Sequence, residues 1–171
     1  MILIFIYTHD NIQKRVKEET ALLGVRRNAQ TKDGAVIPQF QALVMDEAYD
    51  TMFRRLFLEA HAELVNNIPA MYIQDTPTDL YPIYNEFPDF NKDRDFFLYI
   101  NAGDDFAPQY KKSIDILMQR FLIDYICYRW FETKSGDDAA TFFSRLEQTK
   151  KDILGMLNKR TGVFVRMPSF P

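Results

Sequence analysis

The triplet His61-Ala62-Glu63 has the spacing of the first half of a deaminase-type zinc signature, in which a histidine binds the metal and a glutamate moves protons. Such a site needs further thiolate ligands, and a chain with one cysteine and two histidines does not supply them. His61 therefore reads as a surface or half-buried histidine on a helix, and no metal is expected. Paired carboxylates occur at Glu18-Glu19, Asp104-Asp105 and Asp137-Asp138. Such pairs do acid-base work when their surroundings separate the two pKa values. Asp105 and Asp137, however, stand just ahead of expected helices, where a carboxylate caps free N–H groups and meets the positive end of the helix dipole. Cys127 would need an activating base and access to serve as a nucleophile. Its neighbours Ile126 and Tyr128 point instead to packing. The six glycines form no phosphate-binding loop, so neither a catalytic residue nor a cofactor is expected.

Binding chemistry is better represented. Between residues 70 and 105, Pro77, Pro82 and Pro88 alternate with Tyr72, Tyr81, Tyr84, Phe87 and Phe90. This Pro/aromatic-rich insertion is either a loop pinned to the core by its own rings or a groove for a peptide or small ligand. Exposed aromatic residues are also favoured at protein interfaces. The basic doublets Arg26-Arg27, Arg54-Arg55, Lys150-Lys151 and Lys159-Arg160 are each diluted by nearby acids and read as solvated faces.

These residues need a scaffold, and the stretch that organises it is residues 108–134. It opens with Pro108, contains no further Pro or Gly, and stops at Ser135-Gly136, which predicts one helix of about 40 Å at 1.5 Å per residue. Ile114, Leu117, Met118, Phe121, Leu122, Tyr125 and Tyr128 form its main face, and Ile116, Ile123, Ile126, Cys127 and Trp130 widen it. A helix so apolar is expected to be covered on several sides. Lys111, Lys112, Asp115, Arg120, Asp124 and Arg129 argue against a membrane span.

Around it, residues 2–7 predict a short strand covered on both faces. Thr8 or Asp10 is placed to cap a helix over residues 11–23 that Gly24 ends. Residues 25–39 follow as a loop or a loose hairpin turning at Asp33-Gly34. A long helix is expected over residues 40–67, packed on the central one and closed by Pro69. Residues 71–74 and 95–101 are strand candidates, the second ending in the turn Ala102-Gly103-Asp104. After residue 134 so short a link forces an antiparallel hairpin with a helix over residues 137–160. Inside that helix, Gly155 is expected to admit another backbone. Residues 163–167 predict a terminal strand. The fold class is α+β, mainly a bundle of three long helices with a small sheet or hairpin of short strands. All 171 residues are expected to form a single domain, which at this length buries roughly 70% of its unfolded surface.

A formal charge of −3 and a pI near 5.4 give no global positive field for DNA or an anionic membrane. A single cysteine allows no internal disulfide and suits a reducing compartment. The apolar run at residues 2–7 lacks the charged flank and length of a signal segment. A soluble protein is expected.

The segment FLIDYICYRWFETKSGDDAATFFSRLE, residues 121–147, resembles the C-terminal helical hairpin of tailed-phage head–tail connector (adaptor) proteins. In that family an aliphatic helix with a Tyr-Arg-like pair ends in a short Lys/Ser/Asp-rich turn, and a second helix follows with Ala-Ala and an aromatic pair. The matching positions are Tyr125, Tyr128, Arg129, Asp137, Ala139, Ala140, Phe142 and Phe143. The resemblance implies a non-enzymatic structural protein of a phage or prophage neck. Such a protein assembles as a homo-oligomeric ring on the portal, beside other neck and tail proteins, in the virion or the host cytoplasm, and reads no nucleic-acid sequence. Expected contact residues are Tyr81, Tyr84, Phe87 and Phe90, with the terminal strand Val163, Phe164, Val165, Arg166 and Met167, whose edge can pair with another chain. The alternative is a cytoplasmic binding module that holds a peptide or small ligand in the aromatic section.

Overall fold

A computed structural model of the protein describes residues 1–30, 45, 47–68 and 96–159. Among these, four long helices pack with a two-stranded antiparallel sheet. Strand β1 (Ile2–Tyr7) pairs with β2 (Phe96–Asn101) in a register that sets Ile2 opposite Asn101 and Tyr7 opposite Phe96. Side chains alternate across a strand, so Leu3, Phe5 and Tyr7 enter the core while Ile2 and Ile6 stay 44% and 52% exposed. The strand is thus covered on one face and not on both. A continuous apolar run does not by itself distinguish the two cases.

Helix α1 (His9–Gln30) buries Ile12, Val16 and Thr20. It begins at His9 with neither expected cap in use: the Thr8 hydroxyl is buried without a hydrogen-bond partner, and Asp10 lies inside the first turn. Gly24 does not end it. This glycine is buried within the helix, which continues to Gln30, so packing outweighs the roughly 1 kcal/mol that glycine costs there relative to alanine. Residues 25–30 are therefore helical rather than the start of a loop or hairpin.

The helix expected over residues 40–67 is shorter at its start. Met45 is not helical, a 3-10 turn follows at Glu47–Tyr49, and α2 spans Asp50–Asn67. The Met45 amide donates to the Thr20 hydroxyl (3.3 Å), which in turn donates to the Val16 carbonyl, tying this entry segment to α1. Asp50 accepts hydrogen bonds from Gln13 of α1 (2.7 Å) and from Arg54 one turn on (3.0 Å). Helix α2 buries Phe53, Leu56, Phe57, Ala60 and Leu64 and stops ahead of Pro69.

After β2 the chain turns through Gly103, whose φ of +80° is easy only for glycine. A 3-10 turn at Pro108–Tyr110 leads into α3 (Lys111–Phe131), which ends three residues before the expected position. The Ser135 amide donates to the Phe131 carbonyl (2.8 Å), reversing the chain into α4 (Gly136–Leu157). Phe131 stacks on Phe142 near the turn, and the Ala107 amide donates to the Lys159 carbonyl at the other end, so the hairpin is antiparallel. Asp137 and Asp138 occupy the first turn of α4. Ser135 is the residue at the cap position, so Asp137 meets the helix dipole from within. Gly155 is exposed, and a Cβ there would meet no atom within 4 Å. Among the described residues no second backbone approaches it.

One contiguous cluster of buried apolar side chains draws on β1, β2 and all four helices. Helix α3 supplies Ile114, Met118, Phe121, Leu122, Ile123, Ile126, Cys127, Trp130 and Phe131, and it touches α1, α2, α4 and β1. The strand candidates at residues 71–74 and 163–167 lie outside the described residues, as does the greater part of the 70–105 insertion.

Candidate interaction surface

Positions i, i+4 and i+7 of a helix share a face. On α3 this rule aligns Phe121, Tyr125 and Tyr128, and α4 adds Phe143 from across the hairpin. Ring centroids are 6.4 Å apart for Phe121 and Tyr125, 6.5 Å for Tyr125 and Tyr128, and 5.3 Å for Tyr128 and Phe143. Phe121 is buried, the two tyrosines are partly exposed, and Phe143 is 46% exposed. The strip thus climbs from the core to the surface.

Charged groups brace it on both sides. The Tyr128 hydroxyl donates to Glu132 Oε1 (2.6 Å), and Arg129 Nη1 donates to Glu132 Oε2 (2.7 Å). Arg129 Nε also lies 3.7 Å from Glu59 of α2. Lys150 of α4 reaches Glu63 of α2 and Glu147 of its own helix, both at 3.1 Å. Burial opposes the Lys150 charge, but the hydrogen bonds to Glu63 and Glu147 hold its pKa above the usual value. The hydrogen bond to Glu132 and partial burial raise the Tyr128 phenol, and burial raises that of Tyr125. Both phenols therefore stay protonated at neutral pH, and that of Tyr128 acts as a hydrogen-bond donor. The arrangement is suited to contact.

Beneath the other side of α3 lies a polar group that its sequence context conceals. Asp124 is fully buried at the junction of α1, α3 and α4. Arg145 Nη2 of α4 stands 2.9 Å from its Oδ1, and Arg120 Nε is 3.6 Å from its Oδ2. Arg145 Nη1 is in turn 3.8 Å from Glu19 of α1. Burial raises the Asp124 carboxyl to about 6, and the nearby Glu19 charge adds to the effect, in spite of the two arginines. Cys127, one turn along, is fully buried, and burial followed by the nearby Asp124 charge pushes its thiol well above the ordinary range. It is a packing residue and not an activated nucleophile. The signal for Asp124 is a lone acid inside FLIDYIC on the most apolar helix, where a charge requires a partner. Its partner Arg145 carries no such mark.

His61 is half-buried and stacks on Phe96 of β2, with centroids 4.4 Å apart. Its Nε2 is buried without a hydrogen bond, and burial lowers its pKa to about 4. Glu63, the third residue of the zinc-like triplet, turns instead to Lys150. His9 sets its ring against Phe53 and Phe57, with centroids 4.9 and 5.9 Å away. Among the described residues no group of three potential ligands could hold a metal ion, and no helix is long and apolar enough to cross a membrane. The acidic doublets divide between different partners: Glu19 faces Arg145, Asp104 accepts from the Met1 amino group, and Asp137 and Asp138 begin α4. In the basic doublet of α2, Arg54 pairs with Asp50 and Arg55 with Glu59. Tyr81, Tyr84, Phe87, Phe90, Val163, Phe164, Val165, Arg166 and Met167 lie outside the described residues. No family model matches the chain, and comparison with curated proteins and with solved structures gives no significant match.

Proposed function

We propose that the chain is a non-enzymatic structural protein of a phage or prophage neck that works through protein-protein contacts in a ring, in the virion or the host cytoplasm. The observation that carries this reading is the aromatic strip Tyr125, Tyr128 and Phe143 on the α3–α4 hairpin, the same hairpin that resembles the connector family. Tyrosine, phenylalanine and arginine are the residue types that interfaces favour. The Tyr128 ring is fixed by Glu132 and by its aromatic neighbours, so little rotamer freedom remains to be lost when a partner lands on it. Contacts to the portal and to adjacent neck or tail proteins are expected from this strip together with Tyr81, Tyr84, Phe87, Phe90 and residues 163–167.

The test is mass spectrometry of particles purified after prophage induction of the strain that carries the gene. Peptides of this protein that band with DNA-filled heads, at a few to a dozen copies per particle, are the expected result. Particles that contain portal and tail proteins but lack it would overturn the assignment.

A further inference from the structure

Strand β1 forms one border of the ribbon. The Ala102 amide donates to the Met1 carbonyl (3.1 Å), which makes Met1 and Ala102 a hydrogen-bonded pair at the end of the antiparallel ladder. Such pairs alternate with non-bonded ones, so Leu3, Phe5 and Tyr7 direct their backbone groups at β2. The amides and carbonyls of Ile2, Ile4 and Ile6 therefore point to the other edge, where no strand lies among the described residues. The side chains of these three isoleucines share the outward face. Ile2 and Ile6 are exposed, whereas Tyr99, opposite Ile4 on β2, is buried. The outward face is thus covered on the β2 side and open on the β1 side. Edge strands are ordinarily blunted by a charge, a proline or a bulge. Residues 1–8, MILIFIYT, contain no charged side chain and no proline, and β1 pairs with β2 without a bulge. The Met1 ammonium is itself held by Asp104 at 3.0 Å.

We propose that β1 is a self-association edge, on which a second copy of this chain lays its own β1 antiparallel about a two-fold axis at Ile4. In that register Ile4 meets the partner's Ile4, and Ile2 meets the partner's Ile6. A two-fold contact sets each group at the axis against its own copy, so a charge there would repel itself. The uncharged isoleucine row meets that condition. All three pairs are of the hydrogen-bonded kind, because the outward-facing amides and carbonyls belong to these residues. Joining two ribbons makes one four-stranded sheet, which relieves the marginal stability of a pair of strands. A single strand edge buries less than a standard interface, so the dimer is expected to be weak and reversible. The contact is independent of the neck assignment, since it concerns the free chain.

Sedimentation velocity of the full chain should show a reversible shift from monomer toward dimer as the concentration rises to about 200 µM. Ile4→Lys sets two ammonium groups at the axis and should weaken association at least tenfold with circular dichroism unchanged. Cross-linking reads the register, because Cα atoms of a hydrogen-bonded pair lie about 5.5 Å apart, within disulfide range. The native Cys127 is fully buried and stays out of the reaction. Under mild oxidation Ile4→Cys should form a disulfide dimer. An equimolar mixture of Ile2→Cys and Ile6→Cys should link one variant to the other, while neither links alone. A wild type that stays monomeric at the highest concentration would refute the edge. So would association that a folded Ile4→Lys leaves unchanged, or an Ile4→Cys that links no better than Ile2→Cys or Ile6→Cys alone. Should Ile4→Lys fail to fold, the cross-linking pattern decides by itself.

Discussion

Replacing Asp124 with asparagine should make the protein markedly more sensitive to acid. In the folded chain burial pushes the Asp124 carboxyl up to about 6, above the 3.8 of an exposed aspartate. Between these values the folded state holds more protons than the unfolded one, so this group adds stability as pH falls and removes it as pH rises. The whole shift corresponds to at most about 3 kcal/mol at 1.36 kcal/mol per unit, of which about 2 kcal/mol develops between pH 7 and 4.5. His61 works in the opposite sense. Its folded pKa near 4 lies below the unfolded 6.5, so the unfolded state takes the proton first and stability drops by about 2 kcal/mol over the same interval. In the wild type the two contributions nearly offset each other. The asparagine side chain cannot titrate, so Asp124→Asn shows the histidine loss uncompensated. Urea unfolding at pH 7.0 and 4.5, followed by circular dichroism and Trp130 emission, gives the two stabilities by linear extrapolation. The expected result is a stability difference between variant and wild type that moves by about 2 kcal/mol against the variant on acidification. Asp50 lies on α2, apart from this pair, and its contribution cancels between the two proteins. Parallel pH profiles would refute the assignment of a raised pKa to Asp124.

Arg145→Ala removes the closest counter-charge from buried Asp124 and should cost about 1–2 kcal/mol at pH 7, where the carboxyl takes up a proton rather than stay charged, with part recovered at pH 5. Gly155→Ala should stabilise by about 0.5–1 kcal/mol, since the site is helical and open, and a higher urea midpoint at unchanged slope is the measurement. Cys127 should resist a thiol reagent such as DTNB in the native protein and react only at the rate of unfolding, whereas immediate stoichiometric reaction would contradict its burial. Acidic substitutions at Tyr84 and Phe87 should leave the monomer folded and impair incorporation into particles, as scored by the same mass spectrometry; unimpaired incorporation would remove these residues from the contact set.

Legibility in the sequence follows how local the cause of each element is. The central helix is readable because Pro108 opens it, Gly136 lies beyond it, and nothing between interrupts the apolar spacing. Strand β2 and the Gly103 turn are readable for the same reason, from a short β-rich run followed by a glycine. Gly24 misleads because a stop signal is a local preference of about 1 kcal/mol, and the packing of this buried glycine within α1 exceeds it. The start of α2 misleads in the other direction: apolar spacing continues upstream of residue 50, yet Met45 is held out of the helix by its hydrogen bond to Thr20 on a different element. Gly155 suggests a close approach, although a glycine on an open helix face leaves the same mark in a sequence. The surface strip is half visible. Spacing marks Tyr125 and Tyr128 as core, and only the position of α4 shows that the strip rises out of the core through Phe143. The Asp124–Arg145 pair, which joins residues on two helices, has no local signature beyond an acid among apolar neighbours.

The pairing of Tyr7 with Phe96 has a consequence for how the chain reaches this state. The α3–α4 hairpin closes across a few residues, but the two-stranded ribbon closes a loop of about 90 residues, which costs chain entropy before any contact repays it. A ribbon of two strands is also marginal on its own and needs a helical surface to rest on. The hairpin is therefore expected to form first and to serve as the template on which the ribbon zips. In the folded protein the order should reverse: amide protons of β1 and β2 are expected to exchange through a partial opening that leaves the hairpin intact, and those in the middle of α3 only when the whole molecule unfolds, which hydrogen exchange measures.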